Sequence, residues 1–251
     1  MNRTVLITGA ALRIGRVIAE TLARRDWDVI VHAHRSAAEA DALCAQLRAL
    51  GRQAWRVGGD LLVPAGADGV FDAALDAAGH VDALVNNASV FQRQPLAETS
   101  EMDFERFWRI NALAPIRLTQ RLAAHLAERR ASGSAVNLLD QRIAQATSSG
   151  ATPYLLSKKT LEAFTLSAAL ELAPAVRVNA VAPGAVLAPT AANARESAGA
   201  FPLGERPTAL QVADAVAYLL DAAAITGQIL YVDGGQHLLS STDQVQKGIT
   251  Q

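Results

Sequence analysis

The chain has 251 residues, of which 51% are hydrophobic, and a formal net charge of −1. That length suits one large α/β domain with a substantial core and requires no second domain. Near-neutral charge argues against a dedicated nucleic-acid binder, and no uncharged apolar run of about 18 residues is present to make a membrane span. The single cysteine, Cys44, cannot form an internal disulfide; this fits a reducing compartment, with Cys44 as apolar filler on a helix. The opening MNRTVLITGA enters a strand directly and lacks the long apolar region of a signal peptide, so a soluble, cytoplasmic protein is expected.

Short β-branched or aliphatic runs alternate along the chain with longer Ala/Leu/Arg-rich segments. The runs predict strands at 4–8, 28–32, 53–57, 83–85, 135–139, 176–180 and 228–232, and the segments between predict helices over 14–25, 37–50, 65–78, 104–129, 153–172 and 208–221. Near-continuous apolar strands suit a parallel sheet covered on both faces, and the alternation implies right-handed crossovers. The expectation is a single doubly wound Rossmann-type α/β domain over 1–251. Its mainly parallel sheet has seven strands, with helices on both faces. Two regions break the pattern. Residues 185–207, rich in Gly, Pro and small side chains after the sixth strand, are expected to form a substrate loop, with Phe201 and Leu203 as candidate pocket-lining residues. The polar tail, 240–251, is expected either to be partly disordered or to pack on a neighbouring subunit.

VLITGAALRIGRVIAETLARR places a strand, a glycine-containing turn and an amphipathic helix in succession. Gly9 permits the turn and Gly15 lets the helix start approach the sheet. The first helical turn then offers its N–H groups and positive dipole end to a pyrophosphate. Two glycines also occur in ordinary strand–helix turns; Thr8 and the position at the very first turn add weight to nucleotide binding. The second strand exits into HAHRSAAEA. An NAD-preferring site places an acid here for the ribose hydroxyls. His34, Arg35 and Ser36 stand there instead, with no acid before Glu39. A guanidinium with hydroxyl donors suits a 2′-phosphate, so NADP(H) is the expected cofactor. Ser36 as a helix N-cap and Arg35 as a solvated charge are alternatives compatible with that reading. After the third strand Asp60 is expected to accept from an adenine amino group. After the fourth, Asn86, Asn87, Ala88 and Ser89 lie over the sheet's carboxyl edge, where amide and small side chains let the backbone approach the nicotinamide ribose.

NLLDQRIAQATSSGATPYLLSKK puts Tyr154 and Lys158 on one helix face, with Asp140 at the end of the preceding apolar run. An ammonium and a positive nicotinamide nearby lower a phenol's pKa, so Tyr154 is expected to act as an acid–base group near neutrality. Alone, this spacing is a common surface pair; it gains meaning from the nucleotide turn and the NNA stretch.

Taken together, T-G-x-x-x-x-x-G, N-N-A, Y-x-x-x-K and Pro183–Gly184 resemble the short-chain dehydrogenase/reductase family over essentially residues 3–236. The resemblance implies that Tyr154 is the acid, that Lys158 holds the cofactor ribose and tunes Tyr154, and that Asn111 in RINALAP anchors a proton-relay water. It also implies cofactor contacts by Gly9, Arg13, Ile14, Gly15, Leu61, Asn87, Ala88, Ser89, Pro183 and Gly184. A homotetramer, or at least a dimer, built on the long helices is implied as well.

Two departures are informative. Most members carry glycine where Arg13 stands and serine where Asp140 stands. In a carbonyl reductase that serine donates to the oxygen that becomes negative; a carboxylate accepts and repels, and Ser148 and Ser149 lie too near Tyr154 in sequence to replace it. Reducing a ring C=N bond instead requires a proton at nitrogen, which an Asp140–Tyr154 chain can deliver. TGAALRIG, HAHRSAAEA, NNASVF and the Asp140–Tyr154–Lys158 set resemble the pteridine reductases and their bacterial dihydromonapterin and dihydrofolate reductase relatives. That resemblance implies that Arg13 touches both cofactor phosphate and substrate, that Phe91 stacks on the pterin, and that Ser89 contacts both ligands. The expected activity is NADPH-dependent reduction of a dihydropterin, pterin or dihydrofolate, with no metal, nucleic acid or membrane partner. A carbonyl or 3-oxoacyl reductase and a non-catalytic nucleotide-binding scaffold are the alternatives.

Overall fold

In β1, Thr4–Ile7, Val5 and Ile7 face one core while Leu6 faces another, and all three are fully buried. The same alternation splits Val29 and Val31 from Ile30 in β2, Asp28–Ala33, and Ala83 and Val85 from Leu84 in β4, Ala83–Asn86. A strand with apolar side chains on both faces is stable only between two covering layers, which is why these runs carry no polar alternation. The computed structural model describes residues 3–144, 150–186 and 201–239.

The remaining strands are β3 Ala54–Gly58, β5 Gly133–Leu138, β6 Val176–Pro183 and β7 Ile229–Val232. They complete a seven-stranded sheet in the order β3-β2-β1-β4-β5-β6-β7, and every pairing is parallel. Helices α1 Arg13–Ala23, α2 Ala37–Ala49 and α7 Ala209–Asp221 bury their apolar faces on one side. Helices α3 Gly66–Ala78, α5 Ala114–Glu128 and α6 Thr152–Glu171 bury theirs on the other. The strand order reverses between β1 and β4, which opens a crevice at their carboxyl ends, the usual ligand site of such sheets. Beneath it, Asn86 Nδ2 donates to Asn137 Oδ1 at 2.8 Å and Asn137 Nδ2 to Thr165 Oγ1 at 2.9 Å. This buried amide chain ties β4, β5 and α6 together.

One element differs from its sequence expectation. The helix expected as a single piece over 104–129 begins at Glu101, where Ser100 and Asp103 form a capping box, and is interrupted. Helix α4, Glu101–Trp108, runs into a π-helical turn, Arg109–Leu113, before α5. The cause is local. Pro115 lies where a regular helix would return an N–H to the Asn111 carbonyl, and it has none. The Ala114 N–H bonds to Arg109 O, five residues back, and the backbone widens around Asn111.

The 185–207 loop falls largely outside the described residues, as do Ser148, Ser149 and the 240–251 tail; only 185–186 and 201–207 of the loop are described. Phe201 is half-buried, and Leu203 is 79% exposed.

Candidate active site

The turn after β1 is built from its smallest parts. Gly9 sits at φ 63, and a Cβ on Gly15 would lie 2.3 Å from the Gly9 carbonyl oxygen and 2.6 Å from Asn87 Nδ2. Only glycine fits there, so the backbone can close over a ligand. Thr8 Oγ1 accepts from the backbone N–H groups of Asn87 and Ala88, each at 3.0 Å. Asn87 Nδ2 returns bonds to the carbonyls of Thr8 at 2.8 Å and Gly9 at 3.0 Å. The turns that follow β1 and β4 are thereby locked to each other.

Helix α1 starts without a side-chain cap at Leu12, which leaves its first-turn N–H groups for an anion. Arg13 opens the helix at φ 55, a left-handed conformation that costs a non-glycine residue on the order of 1 kcal/mol or more. A strained, exposed arginine at the helix mouth, beside the half-buried Ile14, is hard to explain except by what its guanidinium reaches. The donor set therefore fits a dinucleotide.

His32 was not singled out in the sequence, yet it fastens this turn. The Gly9 N–H donates to His32 Nδ1 at 3.2 Å, and His32 Nε2 lies 3.2 Å from the Gly59 carbonyl. The pairing fixes the neutral tautomer with its proton on Nε2, and burial holds the ring's pKa below its ordinary value. At the exits of β2 and β3, His34 Nε2 stands 3.6 Å from Asp60 Oδ2, while Asp60 Oδ1 accepts the Leu62 N–H at 2.9 Å. Arg35 is exposed and has no ion-pair partner among the described residues. Ser36 occupies the N-cap position of α2, but its hydroxyl makes no capping bond, so the hydroxyl is open to another acceptor. Leu61 is buried beside this exit.

At the other end of the crevice the predicted catalytic residues come together. Tyr154 Oη donates to Asp140 Oδ2 at 2.8 Å. Lys158, one turn on, donates to the Leu138 carbonyl at 2.7 Å, and its Nζ lies 5.8 Å from the Tyr154 ring centre. Phe91 is 42% exposed and meets Tyr154 edge to face, with centres 4.8 Å apart at 85°. An exposed ring beside the phenol presents an apolar face of the kind that can stack a flat ring. Asn111 Oδ1 accepts from Ser89 Oγ at 3.1 Å and the Val90 N–H at 2.8 Å, and its Nδ2 donates to Val90 O and Ser157 Oγ. The Asn111 amide is therefore a brace between the NNAS segment and α6. Ser89 donates its hydroxyl to this brace. Pro183 ends β6, and Gly184 packs against Asp233, where a Cβ would come within 2.8 Å of the Asp233 Cα.

Two expectations are corrected. The phenol of Tyr154 is held well above its ordinary pKa, first by burial and then by the Asp140 carboxylate. In the protein alone burial and Asp140 dominate; the lowering expected from the ammonium together with a positive nicotinamide belongs to the cofactor-bound state. A phenol that keeps its proton is suited to giving it in a reduction. The ammonium itself is pushed down to about 8 by burial, with Asp140 opposing the shift. Second, Asp140 does not face the site as a bare carboxylate. Arg142 Nη1 lies 3.0 Å from Asp140 Oδ2, and the Arg142 N–H donates to Oδ1 at 2.9 Å. The pair is formally neutral, so its repulsion of a developing oxyanion is weaker than the sequence alone implies. Arg142 was missed because an i, i+2 neighbour on an irregular segment gives no periodic signal.

The short chain dehydrogenase family profile matches residues 3–199, and the chain belongs to that family of oxidoreductases. Pteridine reductase 1 of Leishmania tarentolae is 35% identical over 277 residues, covering 93% of this chain and 96% of that protein. The crystal structure of FolM alternative dihydrofolate reductase 1 from Brucella canis, complexed with NADP, superposes with a TM-score of 0.87 at 34% identity, covering 96% of both chains. Acetoin dehydrogenase from Enterobacter cloacae superposes equally well, with a TM-score of 0.87 at 30% identity, covering 96% of this chain and 98% of that one.

Proposed function

We propose that this protein is an NADPH-dependent reductase of a C=N bond in a pterin-type heteroaromatic ring. The observation that carries the reading is the Tyr154–Asp140 hydrogen bond of 2.8 Å beside the exposed ring of Phe91. The likeness to pteridine reductase 1 and to FolM supports it. Bound NADPH supplies a hydride to the ring carbon. Tyr154 gives its proton to the adjacent ring nitrogen, and Asp140 orients the phenol and returns a proton from solvent. Lys158 holds the ribose hydroxyls. Arg13 and the first turn of α1 take the pyrophosphate, with Arg13 reaching the substrate as well. Arg35, His34 and Ser36 take the 2′-phosphate. Phe91 forms one wall of the substrate site.

A second reading, reduction of a small ketone or diketone, is favoured by the neutralisation of Asp140 by Arg142 and by the likeness to acetoin dehydrogenase. The test is NADPH oxidation with a 7,8-dihydropterin, dihydrofolate and a vicinal diketone. Turnover of the dihydropterin at least about tenfold more efficient than that of the diketone supports the first reading; the reverse order supports the second.

The enzyme is further read as a cytoplasmic homotetramer. Leu156, Leu166 and Leu170 on α6 and Met102 and Trp108 on α4 are exposed apolar residues on helices suited to two-fold packing. Light scattering at micromolar concentration that gives only a monomer mass overturns the oligomer.

A further inference from the structure

The segment that carries Asp140 is fastened at both ends from α6. Lys158 donates to the Leu138 carbonyl and Lys159 to the Ile143 carbonyl, each at 2.7 Å. Between these anchors one residue, Arg142, bonds both carboxylate oxygens, one through its side chain and one through its backbone. Arg142 bonds Asp140 Oδ2 with its guanidinium at 3.0 Å and Oδ1 with its own N–H at 2.9 Å, so both oxygens are fixed from one residue. The same Oδ2 accepts Tyr154 Oη at 2.8 Å. The guanidinium carbon lies 5.2 Å from the centre of the Phe91 ring, the ring that meets Tyr154 edge to face. The Arg142 side chain is 27% exposed and that of Asp140 16%, so the pair is partly dry.

We propose that Arg142 is a positioning residue: it presents the Asp140 carboxylate to Tyr154 and so sets the geometry of proton delivery, without itself touching the reacting atoms. The inference rests on the reading of Tyr154 as the acid, whichever acceptor is reduced. A carboxylate free to rotate would offer Tyr154 several hydrogen-bond geometries. A carboxylate held by two bonds offers one, which is the preorganisation that proton transfer needs. Other charged groups near the pair are Lys158 from α6 and, on the 3₁₀ turn Gln236–Leu238 packed against this segment, His237, whose Nδ1 is bound to Asp233 at 2.9 Å. His237 is bound to Asp233 and not to Asp140, so Arg142 is the charge directly paired with Asp140.

The experiment is a double-mutant cycle on kcat with Arg142→Met, Asp140→Asn and the pair, run with NADPH and both a 7,8-dihydropterin and a vicinal diketone. Arg142→Met is expected to lower kcat by about tenfold or more with the KM for NADPH unchanged, and to cost less than about twofold when Asp140 is already Asn. Arg142→Lys, which keeps the charge without the fork, is expected to recover part of the loss. An equal loss on both backgrounds, or none on either, overturns the proposal. If Arg142→Met melts before assay, Arg142→Lys alone decides: wild-type kcat in that variant overturns the need for the fork, and a loss confined to the Asp140 background supports it. Wild-type turnover of the diketone alone defeats the pterin reading and leaves the Arg142 cycle readable on the diketone. No turnover of either acceptor defeats both.

Discussion

Pro115 stands four residues after Asn111 and has no N–H to return to the Asn111 carbonyl, and the helix is π-wound at that point, over Arg109–Leu113. The wide turn lets the Asn111 amide reach both Val90 and Ser157. Pro115→Ala restores the missing donor and favours a regular helix. The expected outcome is a melting temperature held or raised together with a kcat lowered by about tenfold, because the Asn111 brace shifts off the NNAS segment. A variant with a regular helix in its crystal structure and full turnover would show the π turn to be dispensable.

The exit of β2 is where the proposed preference for NADPH over NADH is tested. Arg35 is exposed without an ion-pair partner among the described residues, and the Ser36 hydroxyl makes no capping bond. Arg35→Asp is expected to reduce NADPH efficiency by at least about tenfold, or roughly 1.4 kcal/mol, while NADH use holds or improves. Equal wild-type efficiency with the two cofactors would sink the assignment.

Asp140 separates the two candidate chemistries. Asp140→Ser is expected to lower dihydropterin turnover by about 10²-fold, mainly in kcat, and to raise the ratio of diketone to dihydropterin reduction, since a hydroxyl donor and a released Arg142 then face the acceptor oxygen. NADPH affinity measured by fluorescence titration should be nearly unchanged. Full dihydropterin turnover in this variant would reduce the carboxylate to a structural acceptor.

Lys158 is an ammonium kept at a cost to stability. Burial depresses its value from 10.5 to about 8, a penalty of roughly 3 kcal/mol at about 1.4 kcal/mol per unit. Its folded value lies below its unfolded one, so between about 8 and 10.5 the unfolded chain holds more protons, and wild-type stability rises with pH across that window. Lys158→Met is therefore expected to be inactive and yet to melt a few degrees higher at pH 7, with the gap narrowing toward pH 10. Calorimetry that finds the methionine variant less stable at pH 7 would mean that the bond to Leu138 outweighs the desolvation.

The sheet was legible because strands buried on both faces leave long apolar runs, and β1, β2 and β4 are found within a residue or so of where those runs lie. The tight turn after β1 was legible because Gly9 and Gly15 answer to a left-handed φ and close contacts that favour glycine. The Asp140–Tyr154 contact followed from the family pattern, not from spacing. What escaped notice was set through space. Arg142 and His32 take their roles from partners on other segments or irregular backbone, and the π turn was hidden because Pro115 also reads as an ordinary residue of a helix's first turn. The direction of the Tyr154 shift depends on how dry the phenol is and how close the Asp140 carboxylate lies, and neither quantity is written in a one-dimensional pattern.

His32 grips the phosphate turn with a lone pair rather than a charge. Once protonated, its Nδ1 would confront the Gly9 N–H donor to donor, and the nearby His34 makes that protonation harder still. Since the folded value lies below the unfolded one, the unfolded chain takes up the proton first as acid is added, and stability falls with pH through that window. Acidification thus acts on the cofactor clasp through one imidazole nitrogen, at the opposite end of the crevice from Tyr154. Because burial keeps the ring neutral below the ordinary imidazole range, the contacts that join the exits of β1, β2 and β3 hold under mild acidity, and His32 serves as a fixed strut rather than a sensor of small pH changes.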